Sequence, residues 1–259
     1  MEYVEPQDAQ KMSGLRLALT IGVPGPWGEA AKSIFYVKKI SYVPVRQTAT
    51  ESNDALVAWT GHRNAPQAIY ENEPPRIGWE EILALAERLS PSPSLVPSDE
   101  RERAMMMGMC HAICSEDGLG WNRRHQLLAP MLSTPGADQN PALAGTRVLG
   151  KSYGWSEAAA VHADDRICSI LEMLSGQLAT QKAAGKDYLI GDHLSALDIS
   201  WAAFAALIRP LPADKNPMSE GLRGAYSGIT PKTEAAVDEK LMAHRDFVYE
   251  RHLQLPLEF

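Results

Sequence analysis

Cysteine is scarce in this chain: three residues, Cys110, Cys114 and Cys168, among 259. An odd count in a sequence long enough to bury its own core argues against a disulfide scaffold and points to a reducing, cytoplasmic setting. Long apolar runs are also missing. The longest, residues 199–208, falls well short of the ~20 residues that cross a bilayer. The opening MEYVEPQDAQK is acidic and polar where a secretory signal is basic and then apolar. Clustered Lys and Arg are absent, and a net charge of -7 excludes a nucleic-acid or anionic-membrane surface, which needs a basic patch to release counterions. No glycine-rich phosphate loop is present, because GVPGPWG (residues 22–28) has the wrong spacing and too many prolines. Cys110, His111 and Cys114 form C-H-x-x-C, but a structural metal site needs about four ligands and no second cluster supplies the rest. No metal is expected, and these thiols read as core. The other histidines are scattered, with no Ser-His-Asp or Cys-His arrangement.

What is present is an ordinary globular composition, 45% hydrophobic and 22% charged, enough for one large domain or two modest ones. The strongest local signal is KDYLIGDHLSALDISWAAFAALIR, residues 186–209. Ser195 and Asp198 are spaced as an N-cap and an N3 acid, so each side chain can satisfy the other's backbone N–H. Leu194 and Ile199 are spaced as a hydrophobic staple. Trp201, Phe204, Leu207, Ile208 and the alanines among them leave almost no polar face before Arg209 and Pro210. That pattern predicts a helix buried on most sides.

Earlier in the chain the hydrophobic period alternates. Residues 15–21 (LRLALTI) suit a strand buried on both faces. The glycines and prolines of GVPGPWGE then force a tight loop, and residues 29–39 take helical spacing. A strand over 42–45, a helix over 51–60, a strand over 67–70, a turn at Pro74 and Pro75, a short strand at Arg76 and Ile77 and a helix over 79–89 complete a β-α-β-α-β-β-α order. Residues 90–98 (SPSPSLVPS) form a linker, which divides the chain into domains over 1–90 and 98–259. Beyond it strand signals fade. Helices are predicted from a Ser98 cap through MMMGMCHAIC, over 164–182 and over 232–252, with 133–154 a long loop or broken helix.

Leu189, Ile190, Gly191, Asp192, Leu194, Ser195 and Asp198 resemble the capped core helix of the cytosolic glutathione transferase superfamily, and the alternating first ninety residues look like its thioredoxin-like domain. The resemblance covers about residues 14–210 and rests on architecture and two motifs. It implies an α/β thioredoxin-like N-terminal domain plus an all-α C-terminal helical domain. It further implies glutathione as co-substrate, a small apolar electrophile as second substrate, and a homodimer.

In that family the thiol of glutathione lies at the start of the first helix, where free N–H groups and a partial positive charge favour a thiolate. The resemblance thus makes Trp27 and Gly28 the catalytic amides, with Pro24 and Pro26 lining the loop. Family members usually carry Ser, Tyr or Cys near this loop. Between Gly22 and Lys32 there is no hydroxyl and no thiol before Lys32, so activation falls to backbone N–H groups; the alternative is a tight connection packed by Trp27. Asn64, Ala65 and Pro66 resemble the family's segment ending in a cis-proline, whose preceding residue pairs its backbone with glutathione, and X-Pro is the bond that adopts cis at modest cost. The family's Glu-Ser pair falls here on Gly78 and Trp79. Trp79 and Glu80 become candidates for holding the γ-glutamyl end, against the alternative that Glu80 and Glu81 are dipole partners in a first helical turn. Met105, Met109, Tyr153 and Trp155 are the expected lining of an adaptable apolar acceptor site, against the alternative of plain core. The implied function is addition of glutathione thiolate to a small hydrophobic electrophile. A non-catalytic binding module of the same fold, and a glutathione-dependent isomerase or ether-cleaving enzyme, stay open.

Overall fold

The computed structural model describes residues 1–259, which divide into two compact units. One is Met1–Leu95 with Leu211–Met218 and Tyr249–Phe259; the other is Val96–Pro210 with Ser219–Val248. Residues 211–218 and 249–259 therefore group with the first unit, whereas the sequence reading assigned all of 98–259 to the second. The reason is local bonding: the Leu257 N–H donates to Lys215 O (2.8 Å) and Lys32 Nζ donates to Glu258 O (2.5 Å), while Leu253 and Leu257 are buried.

In the first unit, α1 (Pro6–Ala9), β1 (Leu15–Thr20), α2 (Pro26–Val37), β2 (Val43–Gln47), α3 (Asp54–Thr60), β3 (Gln67–Tyr70) and α4 (Trp79–Leu89) follow in chain order. The sheet order is β2-β1-β3, with β2 parallel and β3 antiparallel to β1. A parallel pair needs a crossover, which α2 provides. The strand expected at Arg76 is a single bridge to Ala68.

Side chains alternate along β1. Ala18 packs with Ala9, Val45 and Leu56 and against Val4 and Trp59. On the same face Arg16 lays its guanidinium over the Trp59 ring, 5.6 Å from the centroid, and donates to Gly14 O and Glu71 O. Leu17 and Leu19 point the other way. There Gly28 lets α2 approach the sheet closely, since a Cβ at that position would lie 3.2 Å from Leu19 Cδ2. The polar N-terminal leader is part of this architecture. Val4 N–H donates to Pro44 O (2.9 Å) and Val4 O accepts from Arg46 N–H (3.0 Å), which covers the outer edge of β2 and removes an exposed pairing edge.

The second unit contains α5 (Glu100–Cys114), α6 (Leu119–Leu132), α7 (Ala144–Ser152), α8 (Glu157–Ala183), α9 (Ala196–Phe204), α10 (Glu220–Ser227), α11 (Pro231–Ala236) and the larger part of α12 (Glu239–His252). Every residue of α9 is buried and the Ser195–Asp198 capping box is formed, as the sequence pattern requires. The helix then tightens into a 3-10 turn at Ala205–Leu207. Asp99 rather than Ser98 caps α5, accepting from Arg101 N–H (2.9 Å) and Glu102 N–H (3.0 Å). Sequence periodicity missed α6 because its inner face carries Asn122, Arg123 and His125, its N-cap Gly118 has no side chain, and Pro130 sits in its last turns. The expected helix over 232–252 is interrupted after Ala236, and α12 begins at Glu239. No helix is long and apolar enough to cross a membrane.

Candidate functional site

Three loop ends meet at one edge of the sheet in the first unit. β1 and β2 finish at the register partners Thr20 and Gln47, the carboxyl ends where α/β folds place ligands. The antiparallel register pairs Ala18 with Gln67, and carrying it onward sets Ala65 beside Thr20. The Ala68–Arg76 bridge, carried onward in the same way, sets Gly78 beside Pro66. The connections leading into α2, into β3 and into α4 therefore all leave or enter at the same end of the sheet. The Ala65–Pro66 bond is cis.

At the start of α2, Gly25 is an extended N-cap without a side chain and Pro26 occupies the first helical position, where its missing N–H costs nothing. Glu29 N–H makes the first bond back along the helix, to Gly25 O at 2.9 Å. The Trp27 and Gly28 N–H groups thus lie in the first turn of α2, at the positive end of the dipole. Pro24 and Pro26 are buried and Trp27 and Gly28 are half-buried.

The start of α4 differs. Glu81 Oε2 accepts from Ile77 N–H (2.9 Å) and Gly78 N–H (3.0 Å), and these backbone bonds, led by that from Gly78, hold the Glu81 carboxyl below its ordinary range. The exposed Glu80 folds its carboxylate over Gly78, 3.0 Å from where a Cβ would stand. Trp79 is half-buried in the first helical position. Glutathione therefore fits unevenly: the amides at α2 suit a thiolate, whereas at α4 the chain's own acid already holds the amides of Ile77 and Gly78.

Residues that the sequence reading did not single out lie under the same edge. Thr20 Oγ1 donates to Gln47 Oε1 (2.7 Å), Gln47 Nε2 donates to Thr48 O (3.0 Å) and Arg63 O (3.2 Å), and Gln67 Nε2 donates to His62 O (2.9 Å) and Asn64 O (2.5 Å). Their signal in the sequence is a glutamine at a strand terminus, Gln47 closing β2 and Gln67 opening β3.

A separate shallow cleft runs along α2 at Glu29, Lys32, Ser33 and Tyr36. None of the expected site residues lines it. Burial pushes the Glu29 carboxyl up, against the pull of Lys32 at 2.7 Å.

In the second unit, Met105 is exposed and Met109, four residues on, is half-buried on the same side of α5; Met106 is the core residue. Tyr153 ends α7 and is held tightly. Its ring meets Trp121 edge-on at 4.6 Å, Arg124 lies over it at 5.4 Å, and its carbonyl accepts from Trp121 Nε1 (2.8 Å) and His125 Nε2 (2.7 Å). Tyr153 and Trp155 are brought together, since both N–H groups donate to Gly150 O, at 3.1 and 2.9 Å.

No protein-family model and no curated protein matches this sequence. Solved structures do. A beta-etherase from Sphingobium sp. strain SYK-6 superposes with a TM-score of 0.61 at 16% identity, covering 92% of this chain and 96% of that one. A rice glutathione transferase in complex with glutathione gives 0.59 at 14% identity, over 95% and 94%. A glutathione S-transferase domain-containing protein of Marinobacter aquaeolei gives 0.59 at 16% identity, over 91% and 98%.

The chain has the glutathione transferase fold. At these identities the likeness is one of architecture, a thioredoxin-like unit followed by a helical unit. Which residues of a glutathione transferase fold act in this chain is a question for its own geometry.

Proposed function

We propose that this chain is a glutathione transferase-like enzyme that adds the thiolate of glutathione to a small hydrophobic electrophile. The observation that carries the reading is the start of α2, where the amides of Trp27 and Gly28 precede the first intrahelical bond beside Ala65. Two N–H groups and a helix dipole aimed at one sulfur lower the cost of its negative charge. The thiol proton leaves to solvent; as the sulfur bonds to the electrophilic carbon, that carbon's π bond opens and its electron pair takes up a proton from water, while the protein supplies orientation and electrostatics. Asn64, Ala65 and Pro66 hold the peptide backbone, and Pro24, Pro26, Trp79 and Glu80 border it. Met105, Met109, Tyr153 and Trp155 receive the apolar partner. The reading includes a cytoplasmic homodimer, checked by sedimentation.

Three observations favour second readings. The self-capped start of α4 and the lack of a hydroxyl between Gly22 and Lys32 suit a binding module without catalysis. The likeness to a beta-etherase suits ether cleavage, in which the same thiolate attacks an ether carbon and an alcohol departs.

The test uses Gly28. Gly28→Pro removes one amide at a position where proline is tolerated in a helix, whereas Gly28→Ala keeps it and adds the same close approach to Leu19. Retention on immobilised glutathione, and a rise in melting temperature with millimolar glutathione, are expected for the native chain and for Gly28→Ala. Gly28→Pro should lose roughly tenfold in affinity, the equivalent of one charge-assisted hydrogen bond. Equal binding by both variants would remove the amides from the account.

A further inference from the structure

Two buried glutamines shape the loop that presents Ala65. Gln67 is 0% exposed and Gln47 3%, positions at strand ends where valine or isoleucine would bury more favourably. A buried carboxamide is costly unless bonded. Here the two amide groups serve consecutive carbonyls of one loop: Gln67 Nε2 takes His62 O and Asn64 O, and Gln47 Nε2 takes Arg63 O. Gln47 is fixed in turn by the Thr20 hydroxyl at the end of β1, the strand from which the chain goes on to α2. The Arg63 side chain runs the other way and braces the loop against Ala49 O (2.6 Å) and Glu51 O (3.0 Å). Every carbonyl from His62 to Asn64 is therefore held from below, and the main chain enters Ala65 along one path.

We propose that Gln47 and Gln67 are positioning residues of the thiol site, setting the main chain of residues 62–65 against the start of α2. The proposal rests on the thiol-binding reading of that edge. Neither glutamine touches the ligand; both act through the loop. A binding edge that is not held to one path must be ordered by each binding event, which weakens affinity, so the carbonyl contacts matter beyond stability.

The experiment compares Gln67→Met, which keeps length and removes both bonds, with Thr20→Val, which keeps shape and releases Gln47. Glutathione affinity is read by calorimetry and loop order by amide hydrogen exchange. Gln67→Met should weaken glutathione roughly tenfold and Thr20→Val roughly threefold, while the rate at saturating glutathione changes by less than about twofold. Amide exchange should accelerate within residues 61–66 and stay unchanged in the rest of the sheet. Native affinity in both folded variants would overturn the proposal. If Gln67→Met does not fold, Thr20→Val alone decides. If the native chain binds no glutathione, the thiol reading fails by itself. The exchange result then judges the glutamines: faster exchange confined to 61–66 supports their loop-setting role, and unchanged exchange overturns it.

Discussion

Asp198→Ala is expected to lower the unfolding free energy by about 3–5 kcal/mol, because it strands several buried hydrogen-bond donors at once. The Asp198 carboxylate is 0% exposed and its oxygens are fully used. Oδ1 accepts from Leu189 N–H (2.8 Å) and His244 Nε2 (2.8 Å); Oδ2 accepts from Ser195 N–H (2.9 Å) and the Ser195 hydroxyl (2.7 Å). Alanine would strand two backbone donors, a hydroxyl and an imidazole in the core, and each stranded group costs about 1–3 kcal/mol before relaxation. Asp198→Asn keeps the volume and one acceptor, so its loss should be smaller. Urea titration checks both through the midpoint, with the slope unchanged. A loss below about 1 kcal/mol for alanine, the size of an ordinary surface cap, would contradict this account of the helical unit.

Lys38→Ala should cost about 2–3 kcal/mol, as expected for a charge-assisted bond lost from a buried site. Its side chain is 0% exposed, and Nζ meets Glu87 Oε1 at 2.6 Å and Ser90 O at 2.8 Å. Glu87 also takes the Leu95 N–H at 2.8 Å and the Ser94 hydroxyl at 3.1 Å, so this one ammonium ties the ends of α2 and α4 to the following linker. Glu87 is 21% exposed and water can reach it, which is why the loss falls below that at Asp198. Lys38→Met with Glu87→Gln keeps the Leu95 cap and removes both charges. That pair should recover most of the loss, because neutral groups of similar volume often replace a buried ion pair at little cost. Additive losses in the double variant would show that packing, rather than charge, is what Lys38 provides.

Asp198 was legible and Lys38 was not, and the difference is physical. A capping box is a local pattern, two residues three apart before an apolar run, and the spacing alone fixes which atoms meet. His244 joins that box from 46 residues away, and no local pattern announces it. The same division runs through the candidate site. The tight turn at Pro24 and Pro26, the helix after it and the Ala65–Pro66 pair are local features, and all are present. The contacts of Gln47 with Thr20 and Arg63, and of Lys38 with Glu87 and Ser90, depend on which strand ends and helix ends come together in space; those of Gln67 reach only three and five residues back, but need the turn geometry to form. The Gly78–Glu81 cap lay between: the acids were visible as dipole partners, but the bond from Glu81 back to Ile77 and Gly78 needed the turn geometry. α6 hid itself by burying polar residues, Asn122, Arg123 and His125, on the face where periodicity looks for leucine.

The most direct measurement is an amide-resolved NMR titration of the native chain with millimolar glutathione. Saturable shifts centred on Trp27, Gly28 and Ala65, weak at Glu80, are the result this account predicts. Shifts centred on the Glu29–Tyr36 side of α2, or none anywhere in residues 20–30 and 62–66, would contradict it.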